Sequence, residues 1–136
     1  MILIIDSYAW IEFLVGGRKG LEVRRRLESA DHLVTPDLVL AEVARKFGRD
    51  GQPERQVQGH LRVITALSDV APVTIEVALH SPRADSELRA HARRHKLDQP
   101  SFADVLILSF ARAHEGKVLT ADPHFEALPD VEWIGA

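Results

Sequence analysis

The chain has 136 residues, 46% of them hydrophobic and 27% charged, with 17 Lys and Arg against 20 Asp and Glu and no cysteine. This length and composition predict a single domain, 1–136, with a core that needs no cross-links, and they exclude disulfides and Cys-ligated zinc. A net charge of −3 argues against a protein that holds nucleic acid by bulk positive charge, and no apolar run approaches the ~20 residues that cross a bilayer.

Met1-Ile2-Leu3-Ile4-Ile5 has no basic flank and runs straight into Asp6, unlike a signal peptide, so the expected location is cytoplasmic. Ile2 to Ile5 is instead a short apolar run of the kind found in strands buried on both faces. Ser7 to Val15 reads as a helix stopped by Gly16-Gly17, and Leu21 to Leu27 as a second amphipathic stretch. His32 to Thr35 is the next strand. Pro36 suits the first turn of a helix in which Leu38, Val39, Ala41, Val43 and Phe47 keep helical period up to Gly48. After a polar turn from Arg49 to Pro53, Val57, Leu61, Ile64 and Leu67 mark another helix. Ala71 to Ile75 reads as extended. Glu76 to His95 reads as helical, with Pro82 predicting either two helices or one kinked helix. Ser101 and Asp104 fit a capping box at the start of a strongly apolar helix, Phe102 to Ala113, which Gly116 ends. Lys117 to Thr120 is a strand, Ala121-Asp122-Pro123 a turn, and Val131 to Ile134 a final strand. Strands alternating with helices predict an α/β protein with a mainly parallel sheet.

Four acids stand out by position. Ligands of open parallel sheets bind beyond the carboxyl ends of the strands, and Asp6 and Asp122 follow two predicted strands. Each also reads as a helix N-cap, Asp122 with proline next to it. Glu42 lies among apolar neighbours in Leu38-Val39-Leu40-Ala41-Glu42-Val43-Ala44, where a buried carboxylate needs a partner; Arg45 or Lys46 one turn on, or a solvent-facing edge, would serve. Asp104 doubles as the partner of Ser101 in the capping box. Brought together, four carboxylates could not all ionise without a cation, and carboxylate oxygens select Mg²⁺ or Mn²⁺. Setting these four aside leaves 16 acids against 17 bases, so the remainder of the molecule would not repel a phosphate chain.

The blocks Ile2-Leu3-Ile4-Ile5-Asp6-Ser7, Thr35 to Val43, Ser101 to Leu108 and Leu119-Thr120-Ala121-Asp122-Pro123-His124-Phe125, in this order and spacing, resemble the PIN-domain family, especially its short VapC-type toxins. The resemblance covers essentially the whole chain. It implies a three-layer α/β/α sandwich with a short, mainly parallel central sheet. It further implies an endoribonuclease dependent on one or two Mg²⁺ (or Mn²⁺) ions, with Asp6, Glu42, Asp104 and Asp122 at the metal and Ser7 and Thr120 as hydroxyl neighbours. A small antitoxin partner and a homodimer are implied with it. Tyr8-Ala9-Trp10 departs from the family, being bulkier than the small and aliphatic residues usual after the first acid.

The expected chemistry is hydrolysis of RNA by metal-activated water, leaving 5′-phosphate and 3′-hydroxyl ends. No histidine takes an obvious general-base position in these blocks, which favours metal-water chemistry. A non-catalytic PIN-like module that binds RNA or protein, or a phosphatase for small substrates, would share the same acids. Other signals are weaker. His91 and His95 have zinc-ligand spacing but lack the glutamate of a zinc protease, and read as a surface helix. Gly16-Gly17-Arg18-Lys19-Gly20 has the composition of a phosphate loop without its spacing. Arg24-Arg25-Arg26 and the set Arg89, Arg93 and Lys96 could steer RNA, or simply solvate helix faces.

Overall fold

Leu3, Ile4 and Ile5 are 0–1% exposed, so β1 (Ile2–Ile5) is the doubly buried strand that its apolar run predicts. The computed structural model describes residues 1–135. After β1 come α1 (Ser7–Val15), α2 (Arg18–Ser29), β2 (His32–Pro36), α3 (Asp37–Arg49), α4 (Glu54–Leu67), β3 (Asp69–Ala71), α5 (Ile75–Arg94), α6 (Phe102–Ala113), β4 (Lys117–Thr120), a 3-10 helix (Pro123–Phe125) and β5 (Val131–Trp133). The strands form one parallel sheet in the order β3-β2-β1-β4-β5, with Ile4 of β1 paired to Val34 on one side and Val118 on the other.

That order fixes the layers. Right-handed crossovers stepping from β1 to β2 to β3 put α1 to α4 on one face; the chain then returns past β1 to β4, which puts α5 and α6 on the other. Packing agrees: α1 lies against α2 and α3, α3 against α4, and α5 against α6. The direction of travel reverses between β1 and β4, so the crevice at their carboxyl ends is the switch point at which open α/β sheets take ligands. No helix among the described residues is long and apolar enough to cross a membrane.

Two local expectations give way to tertiary context, and a third is decided between its alternatives. Pro36 closes β2 in extended conformation (φ −57°, ψ 136°), paired with Ala71, rather than entering the first turn of α3. A strand end tolerates its missing N–H. β3 begins two residues ahead of the expected extended segment, because the Thr74 hydroxyl accepts from the Val77 N–H at 3.2 Å and starts α5 at Ile75. Pro82 does not divide α5, which runs for 20 residues. The carbonyl of Ala78, which Pro82 cannot serve, accepts instead from the Ser81 hydroxyl at 2.7 Å, while Val77, Ala84 and Leu88 bury the helix against the core.

Between α1 and α2 the chain turns on Gly16 (φ +87°) and Gly17 (φ +89°), a conformation that strains residues with a Cβ. At Gly20 the helices approach so closely that a Cβ would lie 2.6 Å from the Glu12 carbonyl oxygen. This tight hairpin brings Lys19 of α2 to Tyr8 of α1, where its ammonium donates to the Tyr8 hydroxyl at 2.9 Å.

Candidate active site

At the switch point lies an open cleft of about 660 Å³ whose lining includes Asp6, Glu42, Asp104 and Asp122. Each arrives by a different route. Asp6 follows β1 and caps α1, accepting from the Ala9 N–H at 2.8 Å through Oδ1. Asp122 follows β4 and caps the 3-10 helix, accepting from the His124 N–H at 3.0 Å, again through Oδ1. Asp104 completes the capping box of α6, its Oδ2 accepting from the Ser101 N–H at 3.1 Å while the Ser101 hydroxyl accepts from the Asp104 N–H. Glu42 enters from the first half of α3. The cap and the site are therefore not rival readings. Each cap needs one carboxylate oxygen, and the second is left for the cleft.

Electrostatics record the crowding. Burial pushes the Asp6 carboxyl up to about 7, with Asp122 and Glu42 adding repulsion and the Thr120 hydroxyl and Ala9 N–H offsetting part of it. Asp6 is 4% exposed and Thr120, beneath the acids, is fully buried. Glu42 is raised by burial and then by Asp104, with Arg45 and the Ser7 hydroxyl pulling the other way. Asp104 is raised by burial and then by Asp122. Most telling, Oε1 of Glu42 is buried with no hydrogen-bond partner among the described residues. An acceptor left in that state costs on the order of 1–3 kcal/mol unless a donor or cation comes to it.

Sequence reasoning places all four acids here, with Ser7 on the lining and Thr120 under the floor. It misses His124. The ring of His124 meets Asp122 Oδ1 through Nδ1 at 2.9 Å and the Asp98 carbonyl through Nε2 at 2.8 Å. Both partners present acceptor oxygens, an arrangement that favours the doubly protonated ring. Burial lowers its pKa, but the bonds to Asp122 and Asp98 outweigh that and the net shift is upward. Ligand atoms of Asp104, Asp122 and His124 all lie within 4.8 Å of one another. The only earlier signal was the position of His124 two residues after a strand-end acid.

His91 is also corrected: it is 3% exposed rather than on a surface, its Nε2 lies 3.4 Å from the Pro123 carbonyl, and its ring packs on His95. It thus braces the 3-10 helix that carries Asp122. The basic groups at the cleft are Arg45, Lys46 and Arg49 of α3, not the runs singled out in sequence. Arg24 and Arg26 pair with Glu28 and Glu132, and Arg89 with Asp85, all away from the lining. The bulky triplet after Asp6 divides: Ala9 and Trp10 are fully buried, Trp10 donating to Thr35 Oγ1 at 3.0 Å, and Tyr8 alone faces the cleft.

A parallel α/β protein with an acidic cleft at its switch point is the class that fold and site define. Residues 3–131 match the model of the PIN domain, and the chain belongs to the PIN domain family. Among solved structures it is similar to VapBC-1 from nontypeable Haemophilus influenzae (19% identity, 98% of this chain and 96% of that one, TM-score 0.71). It is similar also to VapBC2 from Rickettsia felis, solved on a DNA fragment from its promoter (18%, 97% and 98%, TM-score 0.69). A third likeness is to the sarcin–ricin-loop-cleaving toxin VapC20 of Mycobacterium tuberculosis (17%, 96% and 98%, TM-score 0.67). At these identities the likeness establishes the fold. No curated protein is matched by sequence.

Proposed function

We propose that the chain works as one domain, a divalent-metal-dependent endoribonuclease serving as the toxin of a toxin–antitoxin pair in the cytoplasm. The observation that carries the reading is the convergence of four acids from four separated segments, with one buried carboxylate oxygen that has no donor among the described residues. The residues fit a hard cation: the donors are carboxylate oxygens, their charges repel, and burial raises three of the four. Asp6, Glu42, Asp104 and Asp122 would hold Mg²⁺ or Mn²⁺. When bound, such an ion supplies a nucleophilic water near neutral pH and stabilises charge on the phosphoryl oxygens.

The protein's own groups prepare that site. The caps on Asp6, Asp104 and Asp122 lock their rotamers, so the cleft is organised before substrate arrives. Thr120 Oγ1 accepts from the Asp122 N–H at 3.0 Å, and His124 fixes Asp122 against the 95–101 loop through the Asp98 carbonyl. Attack by external water needs no 2′-hydroxyl, which gives 5′-phosphate and 3′-hydroxyl ends. Similarity to VapBC structures supports an antitoxin partner. Exposed Ile75 and Leu79, one turn apart on α5, offer apolar area for a homodimer.

The test is cleavage of RNA in Mg²⁺ or Mn²⁺ by the wild type and by Asp104→Asn. Metal-dependent cleavage by the first and none by the second is expected; equal cleavage by both, or phosphate release from monoesters with RNA left intact, refutes the assignment.

A further inference from the structure

We propose that Tyr8 together with Arg45 and Arg49 forms a track for an unpaired RNA strand, Tyr8 stacking on one base while the two guanidinium groups hold phosphates adjacent to the one at the acids. This rests on the ribonuclease reading and extends it to substrate form. Arg45, Lys46 and Arg49 follow Glu42 by three, four and seven residues, so they lie on the same side of α3 and all line the cleft. The stripe runs from about 4.5 to 10.5 Å along the helix axis from Glu42. Lys46 is engaged by Asp50 at 3.2 Å, whereas Arg45 and Arg49 make no ion pair or hydrogen bond among the described residues.

A phosphate chain approaching a floor of four carboxylates, on a molecule of net charge −3, needs positive charge at the rim to offset repulsion. Arginine's planar fork suits phosphate oxygens. Tyr8 completes the pair of features that single-strand binders combine, a cationic groove and an aromatic platform. Its ring is held before ligand arrives: Lys19 donates to its hydroxyl at 2.9 Å, with the ammonium 5.7 Å from the ring centroid. A base can lie on that ring only when it has left its own stack, which loops and single strands permit and an A-form duplex does not.

The test is fluorescence anisotropy with a short labelled RNA, unpaired or annealed to its complement, in Ca²⁺ so that binding is read apart from turnover. The unpaired strand should bind about ten-fold or more tightly than the duplex. Arg45→Gln with Arg49→Gln should lower the slope of log Kd against log salt by about 1.4, two phosphate contacts at roughly 0.7 each. The same charge removed outside the cleft, by Arg24→Gln with Arg25→Gln, should leave affinity within about two-fold. Tyr8→Ala should lose about ten-fold or more, and Tyr8→Phe, which keeps the ring, should restore it. Equal affinity for duplex, equal loss from both arginine pairs, or an unchanged Tyr8→Ala would overturn the track. Absence of RNA cleavage in Mg²⁺ would instead overturn the underlying nuclease reading, leaving these binding results to judge the track by themselves.

Discussion

At the amino end of α6, Asp104 faces Glu42 and Asp122, and burial with mutual repulsion raises its carboxyl. At the carboxyl end of the same helix, Arg112 donates to both Glu87 and Asp130, with Nε and Nη2 each 3.3 Å from Asp130 Oδ2. One helix thus ends in crowded like charges, relieved only in part by Arg45 and His124, and in opposite charges joined. The second arrangement serves the fold, tying α5, α6 and the segment before β5. The first opposes the fold by repulsion even while Asp104 caps α6, and strained carboxylates of this kind cluster at functional sites. Removing charge should therefore have opposite consequences at the two ends.

The sharpest break of that contrast is at the acids. Asp6→Asn and Glu42→Gln should each lower metal-dependent RNA cleavage by at least about 100-fold, read by gel assay. The Tm of the metal-free variants should stay level or rise, since each loses a repelled charge. Arg112→Ala should do the reverse, costing about 1.5–3 kcal/mol in denaturant unfolding while cleavage per folded molecule is kept. Next is pH. Asp6 titrates at about 7 in the metal-free fold against an ordinary value of 3.8, so the native state holds a proton that the unfolded chain releases. Its penalty is absent below about 3.8 and complete above about 7. In EDTA, wild-type Tm should accordingly gain on Asp6→Asn as pH falls from about 8 to about 5. A constant gap between the two across that window would contradict the buried, repelled carboxyl. The smallest effect should come from Ser101→Ala, which removes the cap of α6 and should cost about 1 kcal/mol by thermal unfolding.

Much of the site was legible in the sequence because its acids occupy positions with local signatures. A carboxylate directly after a strand, or three residues after a serine at a helix start, announces its place without knowledge of the fold. What was not legible depends on contacts across the sheet. His124 meets Asp98 over 26 residues of separation, and His91 is buried by the 3-10 helix. Arg45 and Lys46 read as counter-ions for Glu42 and Arg49 as part of a polar turn; only the packing of α3 on α1 and β2 turns all three toward the cleft. Pro36 misled for a different reason: its local preference suits a helix's first turn, but pairing with Ala71 keeps it in β2. Of the two outcomes that Pro82 allowed, a single helix is the one formed, with the Ser81 hydroxyl serving the Ala78 carbonyl.

The central claim is that the acids at the switch point share a divalent cation. Titration of Mn²⁺ into the protein, with free ion counted by electron paramagnetic resonance, tests it most directly. The account predicts saturable binding to the wild type that is lost or weakened by about ten-fold or more in Asp104→Asn and kept in Arg112→Ala. No binding to the wild type, or equal binding to Asp104→Asn, would contradict it.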